Sequence, residues 1–225
     1  MKKLERFFFN LKRYRWGRFT YQCAKNVFEL VYRLSPSTPG HLRTIMSVEG
    51  KITPAECSLL FELASQVSSG CIIDVGSYRG RSTVALALGS LASSSVPVYA
   101  IDPHESYKGI QGGDFGPKDR IAFFENVLRT GVGEIVRLIN LSSEVISKGW
   151  VREVTLLWID GDHRYEAAKR DFACWEPFVV RGGLVGFHDS TGPDTGPGRV
   201  VAGAVSSGRF ENVMQVDLTT VVRKL

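Results

Sequence analysis

Acidic side chains recur in this sequence at the ends of short apolar runs. Asp74, Asp102, Asp160 and Asp189 each close or follow a run of aliphatic and β-branched residues, the pattern of a strand buried on both faces of a parallel sheet. The carboxyl ends of parallel strands meet at one edge, where open sheets bind ligands. Because four neighbouring carboxylates repel one another unless they have partners, the pattern predicts a polar binding site at that edge.

The turn after the first run reads D-x-G-x-x-x-G, with Asp74, Gly76 and Gly80 as its fixed points, Ser77 between the glycines and Ser82 at the start of a helix. Glycines let the backbone turn sharply and approach a ligand, and the free N–H groups of a helix start favour polar or anionic groups. The spacing differs from G-x-G-x-x-G, which suits the pyrophosphate of a dinucleotide. A nucleotide-type ligand without that pyrophosphate is therefore predicted, and a strand end without a ligand is the alternative.

Asp102 lies 22 residues after Gly80. This is close to the ~20-residue offset at which an acid meets ribose hydroxyls in βαβ nucleotide sites. A carboxylate accepts hydrogen bonds from both hydroxyls, so an acid is the right chemical type. The alternative is an Asp that starts the loop before Pro103.

Two histidines stand beside the later acids, and either is a candidate base. His163 follows Asp160 by three residues, and His188 directly precedes Asp189. Imidazole is suited to removing a proton near neutral pH. The alternative for His163 is a helix-start residue bonded to Asp160 for structural reasons. His104 is assigned to a mobile loop.

The glycine turn resembles the leading motif of class I S-adenosylmethionine (SAM) dependent methyltransferases. The stretch WIDGDHRYEAAKRDFACWEPFVVRGGLVGFHDS, residues 158–190, is similar to bacterial small O-methyltransferases of sugars and secondary metabolites. The resemblance implies that a defined set of residues holds SAM: Asp74, Gly76, Ser77, Gly80 and Ser82 the methionine part, Asp102 the ribose, Ser142 and Ser143 the adenine, with Asp160 beside them. Ser142 and Ser143 have the alternative role of a helix cap.

Metal-dependent members of that group imply a second role for two of the acids. Asp160 and Asp189 correspond to ligands of Mg²⁺, which holds the substrate hydroxyl and lowers its pKa. Where those members place a neighbouring acid or amide, this sequence has His188, and histidine suits softer metals better than Mg²⁺. We therefore favour a mechanism with His163 as base, and a divalent metal stays open.

Strand and helix patterns alternate from residue 46 onwards, which predicts a doubly wound, mostly parallel sheet. The last two strands, 213–216 and 219–223, have only Asp217 and Leu218 between them, so they must form an antiparallel hairpin. Together these features predict the seven-stranded Rossmann-like methyltransferase fold for residues 46–225. Thr53 to Glu56 is a capping-box pattern that predicts the start of a helix. The spacing of Ile121, Phe124 and Leu128 predicts another helix, and apolar residues at helical spacing from Tyr165 to Val179 predict a third.

Residues 1–45 are predicted to be a basic, aromatic arm and linker, with the linker at 35–40. Residues 1–33 carry nine Lys or Arg against two Glu, a net charge of +7. Since the whole chain has +5, the remainder has 5 − 7 = −2 and is mildly acidic. We expect residues 1–34 to pack on the domain or on a second subunit of a homo-oligomer, or to meet a membrane surface peripherally. Nothing beyond charge supports a nucleic-acid partner.

The rest of the composition is that of an ordinary globular protein. The four cysteines are scattered without a C-x-x-C pair, which predicts reduced thiols and a cytoplasmic location. No apolar run approaches the ~20 residues that span a bilayer. We therefore predict a cytoplasmic SAM-dependent enzyme that methylates the oxygen of a small hydroxylated substrate, with the loop 103–118 as a lid. The alternatives are a non-catalytic SAM- or nucleotide-binding scaffold and a nucleotide-dependent oxidoreductase.

Overall fold

The computed structural model describes residues 27, 30–32, 34–110 and 112–225. The chain divides into two units between Ser47 and Val48, and each is described by itself. The first unit contains helix α1, Gly40–Met46, which follows Pro39, so the predicted linker is too long by its last residue. The predictions for the arm, residues 1–34, fall almost entirely outside the described residues.

The described residues of the second unit contain nine strands, and seven of them form one sheet. They are β1 Cys71–Val75, β2 Val98–Ile101, β3 Tyr107–Lys108, β4 Asp114–Phe115, β5 Val136–Ile139, β6 Val154–Ile159, β7 Val179–Phe187, β8 Phe210–Val216 and β9 Thr219–Lys224. The large sheet has the order β5-β2-β1-β6-β7-β9-β8, and β3 pairs with β4 in a separate hairpin. Neighbours from β5 to β7 are parallel, whereas β9 runs antiparallel to both β7 and β8. The predicted fold is confirmed.

One α-helix precedes β1 in the described part of this unit and five lie between strands: α2 Pro54–Ser65, α3 Arg81–Leu91, α4 Pro117–Arg129, α5 Ser143–Ile146, α6 Tyr165–Trp175 and α7 Gly196–Ser206. The predicted capping box at α2 is present, because Glu56 N–H donates to Thr53 Oγ1 and Thr53 N–H donates to the Glu56 carboxylate. Cys57, Cys71 and Cys174 are in no disulfide among the described residues, and Cys23 lies outside them. Among the described residues, no helix is long and apolar enough to cross a membrane.

One predicted helix face and one predicted helix end differ from the structure. Helix α4 exists, but the stripe that marks it is exposed, at 61% for Ile121 and 74% for Leu128, and its buried face is formed by Phe123 and Val127. Both sets have helical spacing, so periodicity alone does not select between them. Helix α6 ends at Trp175, and Val179 opens β7. The segment Glu176–Phe178 between them contains a proline, which interrupts the helical hydrogen bonding.

The core that supports the site lies between β1, β6 and β7 and the helices α6 and α7. Trp175, Phe187 and Val185 are fully buried there, and Phe172 packs edge-on against Phe187 and Phe210. Apolar burial of this extent is the main favourable term for folding. It fixes the carboxyl ends of β1, β6 and β7 next to one another.

Candidate active site

The glycine turn brings the ends of β1 and β6 into close backbone contact. Gly76 has φ +84°, and a Cβ there would lie 2.4 Å from the carbonyl oxygen of Asp160. Gly80 has φ +94° and precedes the first residue of α3. Between them, the Ser77 hydroxyl is buried without a hydrogen-bond partner among the described residues. A buried hydroxyl of this kind is an available group for a ligand.

Asp74 faces inward from β1, not towards the edge. Its carboxylate is fully buried and accepts hydrogen bonds from Ser82 Oγ at 3.0 Å and Thr83 Oγ1 at 2.5 Å. Burial raises the pKa of Asp74 to about 7, the two hydroxyls lower it, and the charges of Asp160 and Asp102 add to the rise. Asp74, Ser82 and Thr83 thus join β1 to the start of α3.

Asp102 holds the glycine turn and the following loop with its own carboxylate. Its two oxygens accept from the backbone N–H groups of Tyr78 and His104, each at 2.8 Å. His104 Nε2 lies 2.7 Å from the carbonyl oxygen of Tyr78, so this nitrogen carries the proton, and Nδ1 accepts from Asn140 Nδ2 at 3.0 Å. His104 lies in the loop between β2 and β3, as predicted, and only 5% of it is exposed. Its partner Asn140 was not predicted.

The turn is also tied to α4. Arg79 Nε donates to Asp119 Oδ1 at 2.7 Å, and its carbonyl oxygen accepts from Asn126 Nδ2 at 2.9 Å. Asp119 in turn accepts from the backbone N–H of Gly116 at the start of α4. Asp102 on one side and α4 on the other therefore hold the turn in place.

The two serines predicted near adenine have different surroundings. The Ser143 hydroxyl is buried and accepts from Trp175 Nε1 at 3.0 Å. Ser142 is half-buried at the N-cap of α5, and its side chain makes no capping hydrogen bond. Ser142 is therefore the better placed of the two to contact a ligand.

Asp160, His163, His188 and Asp189 lie together at the ends of β6 and β7; we call them the reactive cluster. Asp160 Oδ1 is 3.1 Å from His163 Nε2 and 2.8 Å from His188 Nδ1. Asp189 Oδ2 is 2.9 Å from His163 Nδ1, and Asp189 has a left-handed φ of +48°. The structure thus brings together all four residues that the sequence singled out at these two strand ends.

Glu56 is a fifth member of this neighbourhood that the sequence did not reveal. Its carboxylate is completely buried and lies 3.5 Å from His188 Nε2. Leu218 N–H and the Thr219 hydroxyl donate to its Oε1 at 3.1 and 3.0 Å. The capping-box pattern explains Glu56 locally, and only the fold brings it to His188.

Carboxylates control the protonation of both histidines in this arrangement. Burial lowers the pKa of His163, but its contacts with Asp160 and Asp189 outweigh burial and raise that pKa to about 9. Burial opposes protonation of His188 too, and Asp160 and Glu56 hold its pKa well above the ordinary value. Conversely, the two imidazoles lower the pKa of Asp160 despite its burial. The carboxylates therefore stabilise the protonated form of both imidazoles.

The β3–β4 hairpin occupies the loop predicted as a lid. Tyr107 stacks on Phe115 at a centroid distance of 4.9 Å, and Phe115 meets the ring of Tyr78 edge-on at 5.2 Å. Partial burial raises the pKa of Tyr107 to about 12, and the charges of nearby acids, Asp162 foremost, raise it further. The hairpin thus connects the glycine turn with the acidic side of the site.

Fold and site together define a class I methyltransferase. A family model described as "Methyltransferase domain" matches residues 73–190, which include the glycine turn and the reactive cluster. The chain belongs to this methyltransferase family, and the prediction of a SAM-dependent methyltransferase is confirmed.

Solved structures share the fold at low sequence identity. An O-methyltransferase from Bacillus cereus in complex with SAH is 16% identical with a TM-score of 0.64, over 88% of this chain and 97% of that one. The SAH-bound Podospora anserina methyltransferase PaMTH1 is 16% identical with a TM-score of 0.63, over 94% of this chain and 98% of that one. At this identity the likeness concerns the fold.

Proposed function

We propose that the protein transfers the methyl group of SAM to a hydroxyl oxygen of a small acceptor such as a sugar or glycoside. The observation that carries the proposal is the contact between the glycine turn and the reactive cluster: Asp160 N–H donates to the Val75 carbonyl at 2.8 Å, and Gly76 packs on the Asp160 carbonyl. Methyl donor and acceptor must meet at one place, and these two groups of residues adjoin. The Bacillus cereus neighbour, an O-methyltransferase, supports the choice of oxygen.

The residues of the turn fit a nucleoside that carries an amino acid. The Ser77 hydroxyl has no partner, and the glycines leave room for a ligand against the backbone. The Asp102 side chain is 18% exposed, and each oxygen has accepted one N–H, so a second lone pair on each is left for ribose hydroxyls. SAM, when bound, supplies an activated methyl group. The turn holds it in line with the acceptor, and such alignment lowers the barrier without forming a bond to the protein.

The acceptor hydroxyl must lose its proton as the new C–O bond forms. Both ring nitrogens of His163 face carboxylates, at 3.1 Å for Asp160 and 2.9 Å for Asp189. This arrangement disfavours the single imidazole base that we favoured from the sequence. We assign activation of the hydroxyl to the reactive cluster, in which a carboxylate accepts the proton, with Tyr107 of the hairpin closing over the acceptor.

A cofactor panel tests the proposal. SAM and its demethylated product should raise the melting temperature, since a ligand at ~100 times Kd stabilises by about 2.7 kcal/mol, whereas NAD should not. Asp102→Ala should weaken SAM binding, and Glu62→Ala, which removes an exposed acid of α2, should leave it unchanged. Methyl transfer from labelled SAM is then measured across hydroxylated acceptors. Stabilisation by NAD alone would point to an oxidoreductase, and SAM binding without transfer to any acceptor would point to a scaffold.

A further inference from the structure

Two imidazole nitrogens converge on one carboxylate oxygen in the reactive cluster. One possible ligand atom from each of Asp160, His163 and His188 lies within 4.8 Å of the other two. His188 Nδ1 is 2.8 Å from Asp160 Oδ1, yet neither buried ring nitrogen of His188 makes an aligned hydrogen bond among the described residues. His188 Nδ1 is therefore close to Asp160 Oδ1 but is not aligned to donate to it, which leaves this nitrogen available for a ligand between the two residues.

The outer nitrogen of each ring has a carboxylate of its own. His163 Nδ1 is 2.9 Å from Asp189 Oδ2, and His188 Nε2 is 3.5 Å from Glu56 Oε2. Each histidine thus has one nitrogen towards Asp160 and the other towards a second acid. Metal-bound histidines show this arrangement, because a carboxylate behind the ring fixes its tautomer and orientation and makes the inner nitrogen a better ligand.

We propose that Asp160, His163 and His188 bind one divalent transition-metal ion such as Zn²⁺, with Asp189 and Glu56 as positioning residues. Ligand atoms at about 2.0–2.1 Å from a tetrahedral ion lie about 3.3 Å apart. The separations from Asp160 Oδ1, 2.8 and 3.1 Å, need only a small outward shift to match this. Two imidazoles and one carboxylate suit borderline metals. Mg²⁺ prefers oxygen ligands only, so the Mg²⁺ site expected at Asp160 and Asp189 does not fit this donor set.

The assignment changes the role of Asp189 in particular. Its Oδ2 faces His163, so it acts on the metal through that ring and not as a ligand. The role of the ion in catalysis rests on the proposed methyl transfer, but binding of the ion to the protein does not. Metal binding is therefore measured without SAM or turnover, so its failure is distinguishable from failure of the proposed function.

Cobalt is a suitable probe because Co²⁺ bound to nitrogen and oxygen ligands absorbs visible light. The full chain, stripped with EDTA, is titrated with Co²⁺, and one equivalent should develop the bands. Zn²⁺ should then displace Co²⁺ stoichiometrically, whereas a 100-fold excess of Mg²⁺ should leave the spectrum unchanged. Absence of bands together with absence of bound Zn²⁺ by elemental analysis, or displacement by Mg²⁺, would overturn the proposal.

Variants separate ligands from positioning residues. Asp160→Asn and His188→Gln should lose the spectrum, while Asp189→Asn should keep one equivalent with roughly 10- to 100-fold weaker binding. His41→Gln removes a histidine of the other unit and should change nothing. Circular dichroism verifies that each variant is folded. If Asp189→Asn abolished binding while His163→Gln kept it, Asp189 would be a ligand and the assignment would be wrong.

Discussion

Replacing Gly76 by alanine tests whether the glycine turn and the reactive cluster are joined through their backbones. The added Cβ would lie 2.4 Å from the carbonyl oxygen and 2.6 Å from the carbonyl carbon of Asp160. Backbone atoms cannot rotate away as a flexible side chain can, so the ends of β1 and β6 must separate. Gly131→Ala is a matched control, because Gly131 also has a left-handed φ, +74°, but no atom lies within 4 Å of its Cβ position.

The two variants should differ in stability by the cost of the clash. An L-residue in the left-handed region costs about 1–2 kcal/mol, which is the whole effect expected for Gly131→Ala. Gly76→Ala has this cost plus displacement of the Asp160 backbone, and we expect a total of at least about 3 kcal/mol. In a domain of this size 1 kcal/mol corresponds to roughly 2–4 °C in melting temperature. The control should therefore lose about 2–8 °C and Gly76→Ala distinctly more.

Urea unfolding and SAM titration measure the two consequences. Gly76→Ala should lower the midpoint of unfolding well below that of Gly131→Ala, and it should weaken SAM binding by more than tenfold, while the control keeps the wild-type affinity. Equal midpoints for the two variants, or unchanged SAM affinity in Gly76→Ala, would refute the close approach of Gly76 to Asp160.

Two further predictions concern stability. Because the pKa of Asp74 rises to about 7 in the fold, the folded protein holds a proton that the unfolded chain releases near pH 4. The free energy of unfolding should therefore fall by about 2 kcal/mol between pH 5.5 and pH 7. Asp74→Asn should flatten this part of a profile of urea midpoint against pH, and an unchanged slope would contradict the shift. Phe123→Ala should cost about 3–5 kcal/mol because Phe123 is fully buried, whereas Phe124→Ala, at a half-exposed position on the same helix, should cost under about 1 kcal/mol by the same measurement.

The fold was predictable because its signals are local. Short apolar runs between helices, and only Asp217 and Leu218 between the last two strands, leave few topologies for a sheet of this kind. The face of α4 was not predictable. Ile121, Phe124 and Leu128 share one face, and Phe123 and Val127 share another, so the choice depends on what the helix packs against.

The site was predictable in its members but not in their contacts. Strand ends identify Asp160, Asp189 and their histidines, since parallel strands end at one edge. The direction of Asp74 and the partners of Asp102 depend on backbone details of the turn, and Glu56 reaches His188 from a helix far away in sequence. Side-chain contacts of this range are set by the assembled core, which a sequence pattern does not specify.

Backbone contacts, more than side chains, determine where the reacting groups stand. Gly76 packs on the carbonyl of Asp160, and a Cβ on Gly196 would lie 2.2 Å from the carbonyl of His163. The segment that carries Asp160 and His163 is therefore held between the glycine turn on one side and the start of α7 on the other. Groups that are held in place before reaction need no rearrangement to reach the aligned geometry, and alignment lowers the barrier of the proposed methyl transfer. It follows that Gly76 can control the proposed chemistry without touching the substrate, because its missing side chain lets the glycine turn lie against the reactive cluster.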